Sequence, residues 1–167
     1  MIPQPFGFFG TNKPKVGDFY QGGIVVYVDY GARLGLIADT QLTTDNVRFG
    51  PNGAFTQTAG YGNGFANTQN IISALSPTNG AAFTAWNLTR NGYSDWFLPN
   101  RAEAAYVFQS RLFLPYWTCC TLWCSEYQIG LGDANAFTQD YNGTVNFNDR
   151  SETINRESIA CRYMNFS

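Results

Sequence analysis

The chain contains no histidine. That absence removes the commonest general acid and base, the commonest metal ligand and every catalytic triad built on an imidazole. Charge is scarce as well: Asp, Glu, Lys and Arg make up 13% of the 167 residues, against the usual quarter. The ten Lys and Arg residues are scattered and the net charge is −2, so the basic stripe that nucleic acid requires is missing. No run of eighteen apolar residues occurs, which excludes insertion as a hydrophobic spanning helix. The opening MIPQPFGFFG has neither the basic residues nor the long apolar core of a secretory signal, and export by that route is not expected.

Aromatic residues, by contrast, reach 17%, and Asn, Thr, Gln and Gly fill much of the remainder. A polar, uncharged, tyrosine-rich surface suits stacking and hydrogen bonding, as in binding faces. Four cysteines are present, Cys119, Cys120, Cys124 and Cys161. The adjacent pair Cys119–Cys120 does not match the spacing of a zinc knuckle. Two readings stay open: buried thiols that pack as small hydrophobes, or a Cys124–Cys161 bridge.

Residues 1–17 read as an extended arm, because Pro3, Pro5 and Pro14 forbid a regular element. Phe6, Phe8 and Phe9 between them would be costly in water, so the arm is expected to dock on its own domain, a neighbouring subunit or a larger assembly. Residues 18–167 make one domain. Ile24–Val28 is a β-branched strand, Asp29–Arg33 a turn and Leu34–Ala38 the return strand of a hairpin. Residues 40–64 read as one long polar loop. Helices are predicted from Asn67 to Leu75, through GAAFTAWNLTR where Ala82, Ala85, Trp86 and Thr89 share a face, and over 101–113, where Ala104, Val107, Phe108 and Leu112 do. The last third holds strand candidates at 117–127, 134–141, 144–148 and 158–166, with Asn142-Gly143 as a hairpin turn. Strands, then helices, then strands describe an α+β domain.

The segment NGYSDWFLPNRAE (91–103) compresses three signals. Asn91-Gly92 is a turn dipeptide, Trp96-Phe97-Leu98 a short strand, and Asn100 with Glu103 a capping box that opens a helix after Pro99. Asp95 is expected to accept backbone hydrogen bonds in the turn rather than to do chemistry.

In order along the chain stand GDFYQGGIVVYVD (17–29), GLIA (35–38), Ala66-Asn67-Thr68, NGYSDWFLPNRAE (91–103), W-C-S-E-Y (123–127), ANAFTQDYNGT (134–144) and SIACRYMNF (158–166). On these pieces the sequence resembles the Lcl C-terminal domain family, over roughly residues 17–167. The resemblance implies a C-type-lectin-like fold: a mixed or antiparallel sheet, two to three helices, long loops and paired terminal strands. Members of that family belong to bacterial surface proteins and bacteriophage particles, often at fibre ends and often as trimers. The implied activity is recognition of glycans or other surface ligands, with no chemistry. This chain departs from the pattern at Cys124, where the family has a small polar residue, and in having no collagen-like stalk.

A lectin-type calcium site needs several clustered oxygen ligands. Phe147-Asn148-Asp149 and Asp45 with Asn46 are the nearest approach, and carboxylates are too sparse for it, so no cofactor is expected. Formylglycine-generating relatives of the broad fold use reactive cysteines, which need a cationic neighbour; none lies between Leu112 and Tyr127. The protein therefore reads as a non-enzyme. Candidate ligand-binding residues are Phe55, Gln57, Tyr61, Asn63 and Phe65 in the long loop, and Tyr127, Gln128, Tyr141, Asn142, Asn146 and Asn148 in the C-terminal loops. The expectation is a homotrimeric bacteriophage virion protein, at a fibre tip or on a capsid, that binds a host-surface glycan or receptor. A bacterial cell-surface location is the alternative setting. The alternative role is a decoration protein of a capsid or tail, held to other virion proteins by Pro3, Pro5, Phe6, Phe8 and Phe9, without an essential ligand.

Overall fold

The computed structural model describes residues 13–47, 49–51, 55–115, 121–127, 135–140, 145–149 and 156–167. Along the chain run β1 (Phe19–Tyr20), β2 (Gly23–Asp29), β3 (Leu34–Ala38), β4 (Thr44–Val47), α1 (Gly64–Leu75), α2 (Ala81–Trp86), α3 (Arg101–Gln109), a 3₁₀ turn (Arg111–Phe113), β5 (Thr121–Tyr127), β6 (Asn135–Asp140), β7 (Val145–Asp149), β8 (Arg156–Ser158) and β9 (Cys161–Asn165). The class is α+β. One sheet has the order β1-β2-β3-β9 and is antiparallel throughout; the other has the order β4-β8-β5-β6-β7. Within the second sheet β5 and β8 run parallel, through Leu122 and Glu157, and the remaining pairs are antiparallel.

The β2–β3 hairpin forms where its β-branched run predicts it. Its turn is held by the Asp29 carboxylate, which accepts from the Gly31 and Ala32 amides at 2.8 and 2.9 Å. Strand β9 then adds to the open edge of β3, with Leu34 opposite Asn165, Leu36 opposite Tyr163 and Ala38 opposite Cys161. Period-2 alternation gives β9 two different faces. Tyr163 and Cys161 join Leu36, Phe97, Val107 and Leu122 in one apolar cluster, while Met164 joins Val25, Ile37, Trp96 and Trp123 in another.

Several expectations are corrected. The loop predicted over 40–64 contains β4, which pairs with β8. The first helix begins at Gly64, not Asn67. Asn67 spells a helix cap, but its side chain is spent on the preceding loop, accepting from the Thr58 amide and donating to the Thr58 carbonyl. The second helix stops at Trp86 and leaves Thr89 exposed. Ala104, Val107 and Phe108 are buried as predicted, but α3 ends at Gln109 and the tighter 3₁₀ turn swings Leu112 outward to 89% exposure. Trp96, Phe97 and Leu98 are fully buried without forming a strand; only Phe97 pairs, through two 2.8 Å backbone bonds with Cys161.

Asp95 does not bond to its own turn. Its carboxylate takes a two-pronged ion pair from Arg162, at 2.7 and 2.8 Å. The same guanidinium lies 3.8 Å above the Tyr93 ring and donates to the Gln21 carbonyl, so one buried cation ties β9 to two loops. Cys124 and Cys161 are separate buried thiols, not a bridge. Burial pushes both well above the usual thiol range, the opposite of what a reactive thiolate needs.

Candidate functional site

Residues 55–63 enter α1 as a loop pinned from three sides. Asn70 and Asn67 hold its first half through Thr56 and Thr58. Asn63 folds back on the Ala59 and Gly60 carbonyls at 3.1 Å. From across the domain, the α3 capping box holds the rest: Asn100 donates to the Gly60 carbonyl, and Glu103 accepts from the Gly62 and Gly64 amides at 3.0 and 3.3 Å. The residues that start one helix thus also bind the amides at the N-terminus of another, where a carboxylate is favoured. A side chain at residue 64 would run into the Glu103 carboxylate and the Phe97 ring, which explains glycine there.

Glu103 has no exposed surface. One of its oxygens also receives the Tyr163 hydroxyl at 2.6 Å, and the other the Asn100 amide at 2.9 Å. Burial raises its pKa, and the hydrogen bonds from Tyr163, Asn100, Gly64 and Gly62 only partly oppose that rise. The protonated form is thus favoured in the fold relative to the unfolded chain. This contribution to stability is present below the ordinary glutamate range, about pH 4.3, and is lost as pH rises through the raised value. In urea titrations the stability advantage of the wild type over Glu103→Gln should therefore narrow as pH rises over the interval that begins at the ordinary glutamate value. A difference that stays constant across that interval would refute the assignment.

Tyr61 sits at the crest of this loop. Its ring packs 4.7 Å from Tyr27, 5.9 Å from Tyr106 and 6.1 Å from Tyr163. Its hydroxyl is buried and has no hydrogen-bond partner among the described residues. Burial first, and then the nearby Glu103 charge, raise the pKa of both Tyr61 and Tyr163, so both phenols are neutral. Beside these rings lies an open groove of about 310 Å³, lined by Leu34, Gly35, Tyr61, Gly62, Tyr163 and Asn165. A second cavity of similar volume, at Gly50, Pro51 and residues 75–79, has no aromatic wall and no side chain that the chemistry singles out.

No protein-family model matches the chain, and no curated protein matches it.

Of the predicted binding residues, Tyr61 lines the groove. Phe55 is instead buried at 6% exposure beside Phe49, because the loop folds inward there. Asn63 is occupied by its own loop, and Phe65 packs on Trp86 and Phe97. Gln57 is half-buried in the same loop, away from the groove lining. Tyr127, Asn146 and Asn148 take backbone positions on β5 and β7, in the other sheet. Gln128, Tyr141 and Asn142 lie outside the described residues, as do Cys119, Cys120 and the arm residues Pro3, Pro5, Phe6, Phe8 and Phe9. Among the described residues no three His, Cys, Asp or Glu side chains gather as metal ligands. Tyr163 and Asn165 were missed as groove residues. Alternation along C-R-Y-M-N puts them on one face with Cys161, and that was the available signal.

Proposed function

We propose that this is a non-enzymatic binding protein of a bacteriophage particle surface, with a C-type-lectin-like fold, which recognises a host-surface glycan or receptor through the Tyr61–Tyr163 groove. The observation that carries the reading is the groove itself: an uncharged lining with two aromatic side chains, Tyr61 on a tightly pinned loop and Tyr163 on β9. Aromatic faces and fixed polar groups are what a sugar ring requires. The pairing of β9 with the N-terminal hairpin and the irregular second sheet support the lectin-like part of the reading. The missing histidine, and a buried Glu103 fully occupied by hydrogen bonds, favour binding over catalysis. A homotrimer and a virion-surface location, or a bacterial cell surface, follow from the family resemblance and belong to the same proposal.

A specific observation favours the second reading, a decoration protein of a capsid or tail. Phe19, Phe113 and Leu112 are exposed at 64%, 52% and 89%, and Phe113 rests against Gly17 where the arm enters the domain. The deciding experiment labels the purified protein and scores it on intact host bacteria. Binding that survives deletion of residues 1–12 and is lost in Tyr61→Ala, with unchanged near-UV circular dichroism, supports the groove. Absence of cell binding, together with arm-dependent co-sedimentation with particles, replaces it by the decoration role.

A further inference from the structure

We infer that the groove selects a neutral sugar ring and turns away its acidic counterpart. This deepens the binding reading above and rests on it. The selectivity comes from where the donors point. Gly62 and Tyr163 line the groove, and the amide of one and the hydroxyl of the other are already directed at Glu103, at 3.0 and 2.6 Å. The Gly64 amide behind them is directed at the same oxygen. The wall donors are thus consumed, and neither the Gly62 amide nor the Tyr163 hydroxyl has a proton left to offer a ligand.

A ligand seated there has to bring its own donors. Sugar hydroxyls do; carboxylate, sulfate and phosphate groups do not. Charge acts in the same direction. Leu34, Gly35, Tyr61, Gly62, Tyr163 and Asn165 include no cation, and the charge nearest the wall is the Glu103 carboxylate itself. Arg162 neighbours Tyr163 in sequence but points to the other face of β9, where Asp95 holds it. At a pH where Glu103 is ionised, an anion would therefore meet a like charge behind Gly62 and Tyr163, in surroundings where repulsion is stronger than in water. The exposed Asn165 side-chain amide and the Tyr61 and Tyr163 rings remain to orient the sugar ring. The volume of about 310 Å³ is at the lower end for small-molecule sites, which fits one ring rather than an extended chain.

A matched pair tests this. Amide chemical shifts of the full chain are followed by NMR during titration with methyl glucoside and with methyl glucuronide, which differ by one carboxylate. The titration is repeated with methyl galactoside, methyl mannoside and N-acetylglucosamine against galacturonate and N-acetylneuraminate. The expected result is movement of the Gly62 and Asn165 amides with at least one neutral sugar, and a Kd at least about tenfold weaker for its acidic partner. Glu103→Gln should shrink that ratio. An acidic sugar that binds as well as its neutral partner overturns the selectivity. Cell binding that depends on Tyr61, with no neutral sugar moving these amides, overturns the sugar assignment and leaves the binding role standing. No Tyr61-dependent cell binding removes the binding role itself.

Discussion

Replacing Glu103 with Ala is expected to destabilise the domain by about 3–5 kcal/mol. The side chain accepts four hydrogen bonds in a fully buried setting, from Gly62, Gly64, Asn100 and Tyr163. Each donor left unsatisfied costs about 1–3 kcal/mol, and water that enters the vacated space recovers part of the total. The loss is a large fraction of the stability of a domain this size, about 5–15 kcal/mol. The damage should also be local. Hydrogen exchange at Gly62 and Gly64 should accelerate strongly, while the amides of the β2–β3 hairpin follow only the global change. A urea-derived cost below about 1 kcal/mol would mean that the loop is held by something other than this carboxylate.

The second large effect is expected at Trp123, which is fully buried between the two sheets. Its ring meets Phe49 edge-on at 5.7 Å, and its indole N–H donates to the carbonyl of Val47, the last residue of β4, at 2.7 Å. Trp123→Ala should cost about 3–5 kcal/mol, from lost contacts and the remaining cavity. Trp123→Phe keeps a ring and loses the donor, so it should cost roughly half as much. Chemical denaturation of the two variants separates packing from the hydrogen bond. Equal losses would show that the indole N–H, not the ring volume, carries the contribution.

Legibility of this fold in its sequence followed sequence distance. The capping box was readable because Asn100 and Glu103 are three residues apart and the geometry that joins them is local. The turn at Asn91-Gly92 was readable for the same reason, with both residues at positive φ, 54° and 84°. The hairpin of β2 and β3 was readable from its strand residues and the Asp29 turn. What failed depends on partners far along the chain. Asp95 looks like a turn residue because Arg162 is nowhere near it in sequence. Asn67 looks like a cap because its use by Thr58 needs the loop to fold back. Leu112 continues a helical period that the chain itself abandons at Gln109. The groove was half legible: Tyr61 stood out as a loop aromatic, whereas Tyr163 became a groove residue only through the β3–β9 register.

That register has a consequence for how the protein is made. The hairpin of β2 and β3 is translated early, yet the far edge of β3 is completed by residues 161–165. Closing so long a segment carries a large entropic cost before the contacts form, which places folding among the slow, non-local topologies. While the ribosome is still adding the middle of the chain, β3 carries a row of unsatisfied amides and carbonyls on one side. During that interval any strand that arrives first, from a chaperone client site or a neighbouring nascent copy, competes with β9 for the same bonds.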